Sequence, residues 1–156
     1  MCPNPLRLDL FCGHRKREGC VGVDARPLPG VDVVADLEHG LPFADASAIE
    51  IHACHGPEHV ADPVRFMREC WRVLKPGGLL SIEVPSTDGR GAFQDPTHRS
   101  YWNENSFGYW TERDPSFAYI HDWCLFEVVR LRSYPGKRRC VTVVAVLRKV
   151  ARCSTG

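Results

Sequence analysis

The chain has 156 residues, a formal net charge of +1 at pH 7 and a hydrophobic fraction of 44%. This length suits a single domain, residues 1–156, around one hydrophobic core. The small net charge argues against a general nucleic-acid or acidic-membrane binder, because such proteins usually carry a large positive excess. No apolar run reaches the ~18 residues of a membrane span, and the N-terminus lacks the basic and apolar regions of a signal peptide.

The cysteines are irregularly spaced and form no C-x-x-C pair. They are Cys2, Cys12, Cys20, Cys54, Cys70, Cys124, Cys140 and Cys153. Several fall inside predicted strands or a helix, where a free cysteine behaves as a small apolar residue. This usage predicts a reduced, cytoplasmic protein rather than a disulfide scaffold or a zinc ribbon.

Alternating strand and helix patterns predict an α/β protein with a mostly parallel sheet. Short apolar runs predict strands at residues 7–11, 20–23, 31–35, 49–53 and 79–84. Between the fourth and fifth strands, Asp62 can cap a helix, Pro63 suits its first position, and Pro76 follows its apolar stripe. This is the strongest helix prediction in the chain.

The second half of the chain is less regular. Residues 85–120 are rich in aromatics, with a short helix predicted around residues 104–110. The β-rich runs at residues 124–132 and 140–148 flank a Tyr-Pro-Gly-Lys turn. They predict a terminal hairpin, which adds antiparallel strands to the sheet.

Three consecutive predicted strands each lead into a glycine or an acid. These residues are Gly13, Asp24 and Asp36. In a doubly wound sheet the ligand lies across the carboxyl ends of the strands. A glycine there admits a ligand to the backbone, and the two carboxylates can accept from ribose hydroxyls and an adenine amino group. A nicotinamide cofactor is the nearest alternative, but His14 and Arg15 follow Gly13 where G-x-G-x-x-G needs another glycine.

The chain resembles the class I S-adenosylmethionine-dependent methyltransferases, in particular the small type 11 branch. The runs that carry the resemblance are Leu8-Asp-Leu-Phe-Cys-Gly13, Val23-Asp24, Asp36-Leu37 with Leu41-Pro-Phe43, Cys54-His-Gly-Pro-Glu-His59 and Arg72-Val-Leu-Lys-Pro-Gly-Gly78. The last run is the most specific, and the likeness covers about residues 6–110. It implies a Rossmann-like methyltransferase fold, with a mostly parallel sheet and a C-terminal antiparallel hairpin, and S-adenosylmethionine as cofactor.

The resemblance also implies which residues bind the cofactor. They are Asp9, Cys12 and Gly13 at its methionine part, Asp24 at the ribose, Asp36 and Leu37 around the adenine, and His55 beside the sulfonium.

The chain departs from the family pattern in its glycine loop and its helices. Phe11 replaces the first glycine of the loop, and Arg15 replaces a later one. Only about eight residues connect the first two strands, too few for a full crossover helix. The usual N-terminal helices before the first strand are also lacking. An exposed flank of this kind can drive dimerisation, so a homodimer is one expectation.

Methyl transfer is an in-line displacement in which the protein mainly supplies positioning. An oxygen acceptor usually also needs a base. His98 is the predicted base because histidine titrates near neutrality, and His55 is the second catalytic candidate. A structural or solvent-exposed histidine is the alternative interpretation of His98.

Nine of the fifteen aromatic residues lie between Phe93 and Trp123. They are Phe93, Tyr101, Trp102, Phe107, Tyr109, Trp110, Phe117, Tyr119 and Trp123. One interpretation is an acceptor pocket, and the other is a small satellite core under a long loop. The predicted substrate-binding residues are Asp95, Tyr101, Trp102 and Asn103.

His55, Glu58 and His59 form an H-x-x-E-H pattern, which also occurs in one class of metalloproteases. That site needs both histidines on one helix face, and Gly56-Pro57 disfavours a helix. No metal is therefore predicted. A site assembled in the fold from His55, His59 and His98 stays open.

Three functions follow from these patterns. The first is methyl transfer from S-adenosylmethionine to an oxygen or nitrogen of a small molecule, such as a saccharide or a natural product, with no nucleic-acid or membrane partner. The second is a non-catalytic domain that binds S-adenosylmethionine or S-adenosylhomocysteine. The third is a metal-dependent hydrolase.

Overall fold

A seven-stranded mixed sheet organises the part of the chain that the computed structural model describes, residues 5–111, 116, 119 and 124–151. The strand order is β3-β2-β1-β4-β5-β7-β6. The strands are β1 (Leu6–Leu10), β2 (Val21–Asp24), β3 (Val33–Val34), β4 (Ala48–Cys54), β5 (Leu74–Pro85), β6 (Phe126–Pro135) and β7 (Val141–Lys149). Four of the residues singled out above, Cys2, Phe117, Trp123 and Cys153, lie outside the described residues.

The sheet is parallel from β1 to β5, and β7 pairs antiparallel with both β5 and β6. The predicted parallel sheet with a terminal antiparallel hairpin is therefore confirmed. The strand order reverses between β1 and β4, which is the switch point where open α/β sheets bind ligands.

Helix α1 (Pro63–Val73) lies between β4 and β5 and buries Phe66, Met67, Cys70 and Val73. Asp62 caps it as predicted, since its Oδ1 accepts the Arg65 N–H at 2.8 Å. The sheet supplies fully buried side chains to the same core, including Leu8, Ile51 and Leu80. Each such side chain stabilises the fold by about 1.5–3 kcal/mol.

The other face of the sheet is polar. Glu50, His52, Ser81 and Glu83 are half-buried and alternate with buried apolar residues along β4 and β5. Parallel sheets are usually covered by helices on both faces. Here residues 11–20 and 25–32 connect neighbouring strands without any helix. The polar alternation is what permits this face to contact water.

Two predicted boundaries were wrong. Strand β3 has only two residues, and β5 begins at Leu74 rather than Leu79. Leu74 directly follows α1 and already pairs with Ala48. The register then shifts over the following turn, where Gly77 takes a φ of +78°. The turn that was expected only to end the helix therefore lies inside the strand.

The aromatic segment contributes helices α2 (Gly91–Gln94) and α3 (Gly108–Thr111). Trp102 is 1% exposed and stacks on Trp110 with their ring centroids 5.5 Å apart. Its Nε1 donates to Ser100 Oγ at 3.0 Å. Trp102 was predicted to bind substrate, and this is corrected: the ring is part of the core. Trp102, Phe107 and Trp110 are core residues, as the second interpretation predicted, but they belong to the main buried cluster rather than to a separate satellite core.

The six cysteines within the described residues are all free thiols. Among the helices of the described part, none has the length and apolar character needed to cross a membrane.

Candidate functional site

Asp24 ties together the carboxyl ends of β1 and β2. Its Oδ2 accepts the Gly13 N–H and its Oδ1 accepts the Arg26 N–H, both at 3.0 Å. Gly13 has a φ of +51°, and no atom lies within 4 Å of where a Cβ would stand. Two residues that the sequence predicts for the cofactor thus lie side by side, next to open space.

Asp36 lies just beyond β3 and caps the short turn Leu37–His39. Its Oδ1 accepts the Glu38 N–H at 3.0 Å, and its Oδ2 lies 2.9 Å from His39 Nδ1. The hydrogen bond from Glu38 lowers the pKa of Asp36, so this exposed carboxyl stays ionised. Leu37 packs into the core with only 6% exposure.

Asp9 and Cys12 hold the connection between β1 and β2. Asp9 is buried, and its Oδ2 accepts the Arg17 N–H at 2.7 Å. Burial, with the nearby charges of Asp9 and Asp24, raises the pKa of the Cys12 thiol. A cavity of about 260 Å³ opens here, lined by Asp9, Phe11, Cys12, Arg15, Arg17 and Cys54. It is smaller than ordinary ligand pockets, which start at about 300 Å³.

Phe11 lies at the end of β1, at the switch point between β1 and β4. Its φ of +58° is unusual for a bulky residue. A Cβ built on Gly56 would stand 2.0 Å from Phe11 Cγ, so the ring occupies the space over that glycine. The ring centroids of Phe11 and Phe66 are 5.8 Å apart. The departure in the glycine loop therefore places an aromatic ring at the predicted cofactor edge.

A second cavity of about 320 Å³ brings both predicted catalytic histidines together. His55, Glu58, His59, Asp95 and His98 are among the residues that line it. His55 Nδ1 lies 3.5 Å from Glu58 Oε1, and this contact raises the pKa of His55. Hydrogen bonds from Thr97 lower the pKa of Asp95.

Of the four predicted substrate residues, only Asp95 lines this cavity, while Tyr101, Asn103 and the buried Trp102 do not. Tyr101 is 53% exposed and stacks on Phe93 with their ring centroids 5.3 Å apart. Asn103 caps the turn Glu104–Phe107, and its Nδ2 donates to Thr87 Oγ1 at 2.8 Å. The Asn103 side chain therefore stabilises the local backbone of the turn Glu104–Phe107.

Glu58 was quoted within a motif but assigned no role of its own. It is 2% exposed, and its Oε2 has no hydrogen-bond partner among the described residues. A carboxylate this buried is unusual, since isolated buried charges are costly. The sequence offered only the adjacent Glu58-His59 pair as a signal for this residue. That pair does not reveal that Glu58 is buried.

Part of the chain is similar to known methyltransferases. Residues 16–82 match the model described as a methyltransferase domain. A probable S-adenosylmethionine-dependent methyltransferase of Mycolicibacterium smegmatis is 35% identical over 71 residues, which cover 40% of this chain and 28% of that protein. A demethylmenaquinone methyltransferase of Renibacterium salmoninarum is 34% identical over 76 residues, which cover 49% and 32%. The chain thus matches these curated relatives over about a third of their length or less.

Solved structures match nearly the whole chain at low identity. A methyltransferase from Aquifex aeolicus has a TM-score of 0.57 at 19% identity, with 91% of this chain and 81% of that chain covered. The [4+2]-cyclase SpnF has a TM-score of 0.68 at 16% identity, with 93% and 74% covered. Likeness at this level shows the Rossmann-like methyltransferase fold and leaves the reaction open, since one fold hosts many activities.

Proposed function

We propose that the protein transfers a methyl group from S-adenosylmethionine to an oxygen or nitrogen of a small molecule. Residues 16–82 match the methyltransferase-domain model, and a similar curated protein is a probable S-adenosylmethionine-dependent methyltransferase. Saccharides and natural products are the acceptor classes we favour. The observation that carries the proposal is the Asp24–Gly13 contact, which forms a polar, open corner where two parallel strands end.

The residues present fit the adenosine part of the cofactor. A carboxylate offers about four acceptor positions, and the Asp24 oxygens use two of them for the backbone N–H groups of Gly13 and Arg26. The remaining positions can accept from ribose hydroxyls. Asp36 stays ionised at the next strand end and can accept from an amino group. At the methionine end, Phe11 narrows the space beside Asp9 and Cys12.

The bound cofactor would supply an activated methyl group, and the chain would supply positioning and a base. His98 is nearly buried, and its Nδ1 lies 2.8 Å from the Ala92 carbonyl oxygen. A carbonyl only accepts, so Nδ1 carries the proton and Nε2 is left to accept one from a hydroxyl acceptor. His55, in the same cavity, would help to position the reacting groups. Asp95 and the exposed pair of Tyr101 and Phe93 would bind the acceptor.

We expect wild-type protein to bind S-adenosylmethionine or S-adenosylhomocysteine in calorimetric titration. Asp24→Asn should weaken that binding at least about tenfold, because a lost charge-assisted hydrogen bond costs about 1.5–3 kcal/mol. Asp62→Asn is the matched control, since asparagine caps a helix as well as aspartate does. Equal affinities in the wild type and Asp24→Asn would contradict the ribose assignment.

A non-catalytic cofactor-binding domain is the second candidate, and the Phe11 ring at the switch point favours it. Phe11→Gly should open this edge and tighten binding of S-adenosylmethionine in the same titration. Phe93→Ala, which removes an exposed aromatic ring, is the control. Weaker binding in Phe11→Gly would instead mean that the ring contacts the cofactor. Binding without turnover across sugars, phenols and amines would favour the accessory role.

The homodimer and the cytoplasmic location stay predictions. A dimer would use the half-buried sheet face of Glu50, His52 and Glu83. Sedimentation at about micromolar concentration tests it, and a monomer alone would remove the expectation.

A further inference from the structure

A compact cluster of potential metal ligands lies in the second cavity. Glu58, His59 and His98 each offer one ligand atom, and these atoms lie within 4.8 Å of one another. Glu58 is 2% exposed, and its Oε2 has no partner among the described residues. A buried carboxylate is expected to be paired or to coordinate a metal. His55 Nδ1 lies 3.5 Å from Glu58 Oε1, so Oε2 is the oxygen that is left for a donor or a cation.

The two imidazoles are oriented for metal binding by their other nitrogens. His98 Nδ1 lies 2.8 Å from the Ala92 carbonyl oxygen, and His59 Nδ1 lies 3.3 Å from the Thr97 carbonyl oxygen. Thr97 Oγ1 also lies 3.2 Å from His59 Nδ1, and its hydroxyl already donates to Asp95. Each Nδ1 must therefore donate a proton, which leaves Nε2 as the lone-pair nitrogen. Ligating histidines are usually held in this way.

We propose that Glu58, His59 and His98 bind one divalent transition-metal ion of the zinc class, with an open coordination position toward the cavity. Two imidazoles and a carboxylate form the ligand set of many catalytic zinc sites. Imidazole nitrogen disfavours magnesium and calcium, which prefer oxygen ligands. Asp95 Oδ2 lies 3.8 Å from His98 Nε2 and adds a negative charge beside the three ligands.

The required adjustment is small. Zinc bonds of about 2.0–2.1 Å place two ligand atoms roughly 3.4 Å apart in a tetrahedral site. Because the ligand atoms now lie within 4.8 Å of one another, each pair must approach by at most about 1.4 Å. The neighbouring group of Cys54, His55 and Glu83 is more exposed and contains no buried atom that lacks a partner among the described residues. The geometry thus favours the Glu58 cluster.

The role of the ion rests on the proposed function. In a methyltransferase, an ion at this place would orient an acceptor hydroxyl and lower its pKa, so that the proton leaves to solvent. His98 would then serve as a ligand rather than as the base. The site would favour acceptors with a hydroxyl group that can reach the ion, which is a narrower class than oxygen and nitrogen acceptors together.

The test uses the full chain without a histidine tag, dialysed against a chelator and titrated with Zn²⁺ by calorimetry and with Co²⁺ by visible absorption. We expect one ion per chain and a higher Tm with metal, because an ion that binds only the folded state stabilises it. Glu58→Gln and His98→Gln should each weaken binding by at least about 30-fold. His14→Gln, an exposed histidine outside the cluster, and Cys54→Ser should leave affinity unchanged.

Several results would overturn the site. They are no binding at about 0.1 mM Zn²⁺, unchanged affinity in the Glu58 and His98 variants, or loss of binding in Cys54→Ser. If those variants fail to fold, the wild-type Co²⁺ spectrum still decides, since a thiolate charge-transfer band would place the ion on a cysteine and not on the Glu58 cluster. Binding of S-adenosylmethionine is measured in a separate titration. Zinc binding without cofactor binding would retain the site and reject methyl transfer.

Discussion

Gly56→Ala is expected to lower the free energy of unfolding by about 3 kcal/mol. The added Cβ would stand 2.0 Å from Phe11 Cγ and 2.5 Å from Phe11 Cβ. Rotation of the ring cannot relieve a contact with Cβ, so the backbone itself must shift. Urea denaturation followed by circular dichroism measures the change. Gly91→Ala is the matched control, because its nearest contacts are at an ordinary 3.5 Å and its backbone is helical.

The same contact predicts a specific rescue. Phe11→Gly removes all three clashing Phe11 atoms, Cβ, Cγ and Cδ2, and suits a φ of +58°, so the double variant should regain most of the lost stability. Phe11→Ala keeps the Cβ and should restore much less. A double-mutant cycle with an interaction energy near zero would contradict the contact. The stability restored by Phe11→Gly is compared with that restored by Phe11→Ala. A large difference shows that the Phe11 Cβ clashes with the new side chain, and a small one shows that only the ring does.

The sequence predicted well the features that depend on local pattern. The Asp62 cap, the terminal hairpin and the side-by-side position of Gly13 and Asp24 depend on periodicity and on the rule that parallel strands end at one edge. Trp102 was misassigned because a tryptophan in an aromatic segment has the same sequence signature in a pocket wall as in a core.

The histidine cluster shows a different limit. The H-x-x-E-H helix was rightly rejected, since residues 57–59 form a short 3₁₀ turn. His98 reaches this turn from about 40 residues away along the chain, and the hydrogen bonds from the Arg99 and Ser100 N–H groups to the Glu58 carbonyl hold it there. No local pattern reports such a contact. It depends on how the irregular segment folds back over the end of β4.

Arg72→Met is expected to cost about 3 kcal/mol of folding stability. Arg72 begins the most specific run of the sequence. Its guanidinium connects α1 to the loop of residues 41–45, which precedes β4. It donates to both Glu69 carboxylate oxygens, to Asp45, and to the carbonyls of Leu41 and Phe43 at 2.6–2.9 Å. Losing it removes a donor from the Leu41 and Phe43 carbonyls and leaves the Glu69 carboxylate with the Leu41 N–H alone. Arg65→Met removes one hydrogen bond from the same helix and is the control.

The Arg72 contact also predicts a pH dependence with a definite sign. Hydrogen bonds from Arg72 lower the pKa of Glu69 in the folded state. Its stabilising contribution is therefore complete above the ordinary glutamate pKa of about 4.3, and it is lost as the pH falls through the lowered folded value. The stability difference between wild type and Arg72→Met should shrink in urea titrations below about pH 4. A difference that stays constant down to pH 3 or so would show that the carbonyl contacts, and not the Glu69 carboxylate, carry the effect.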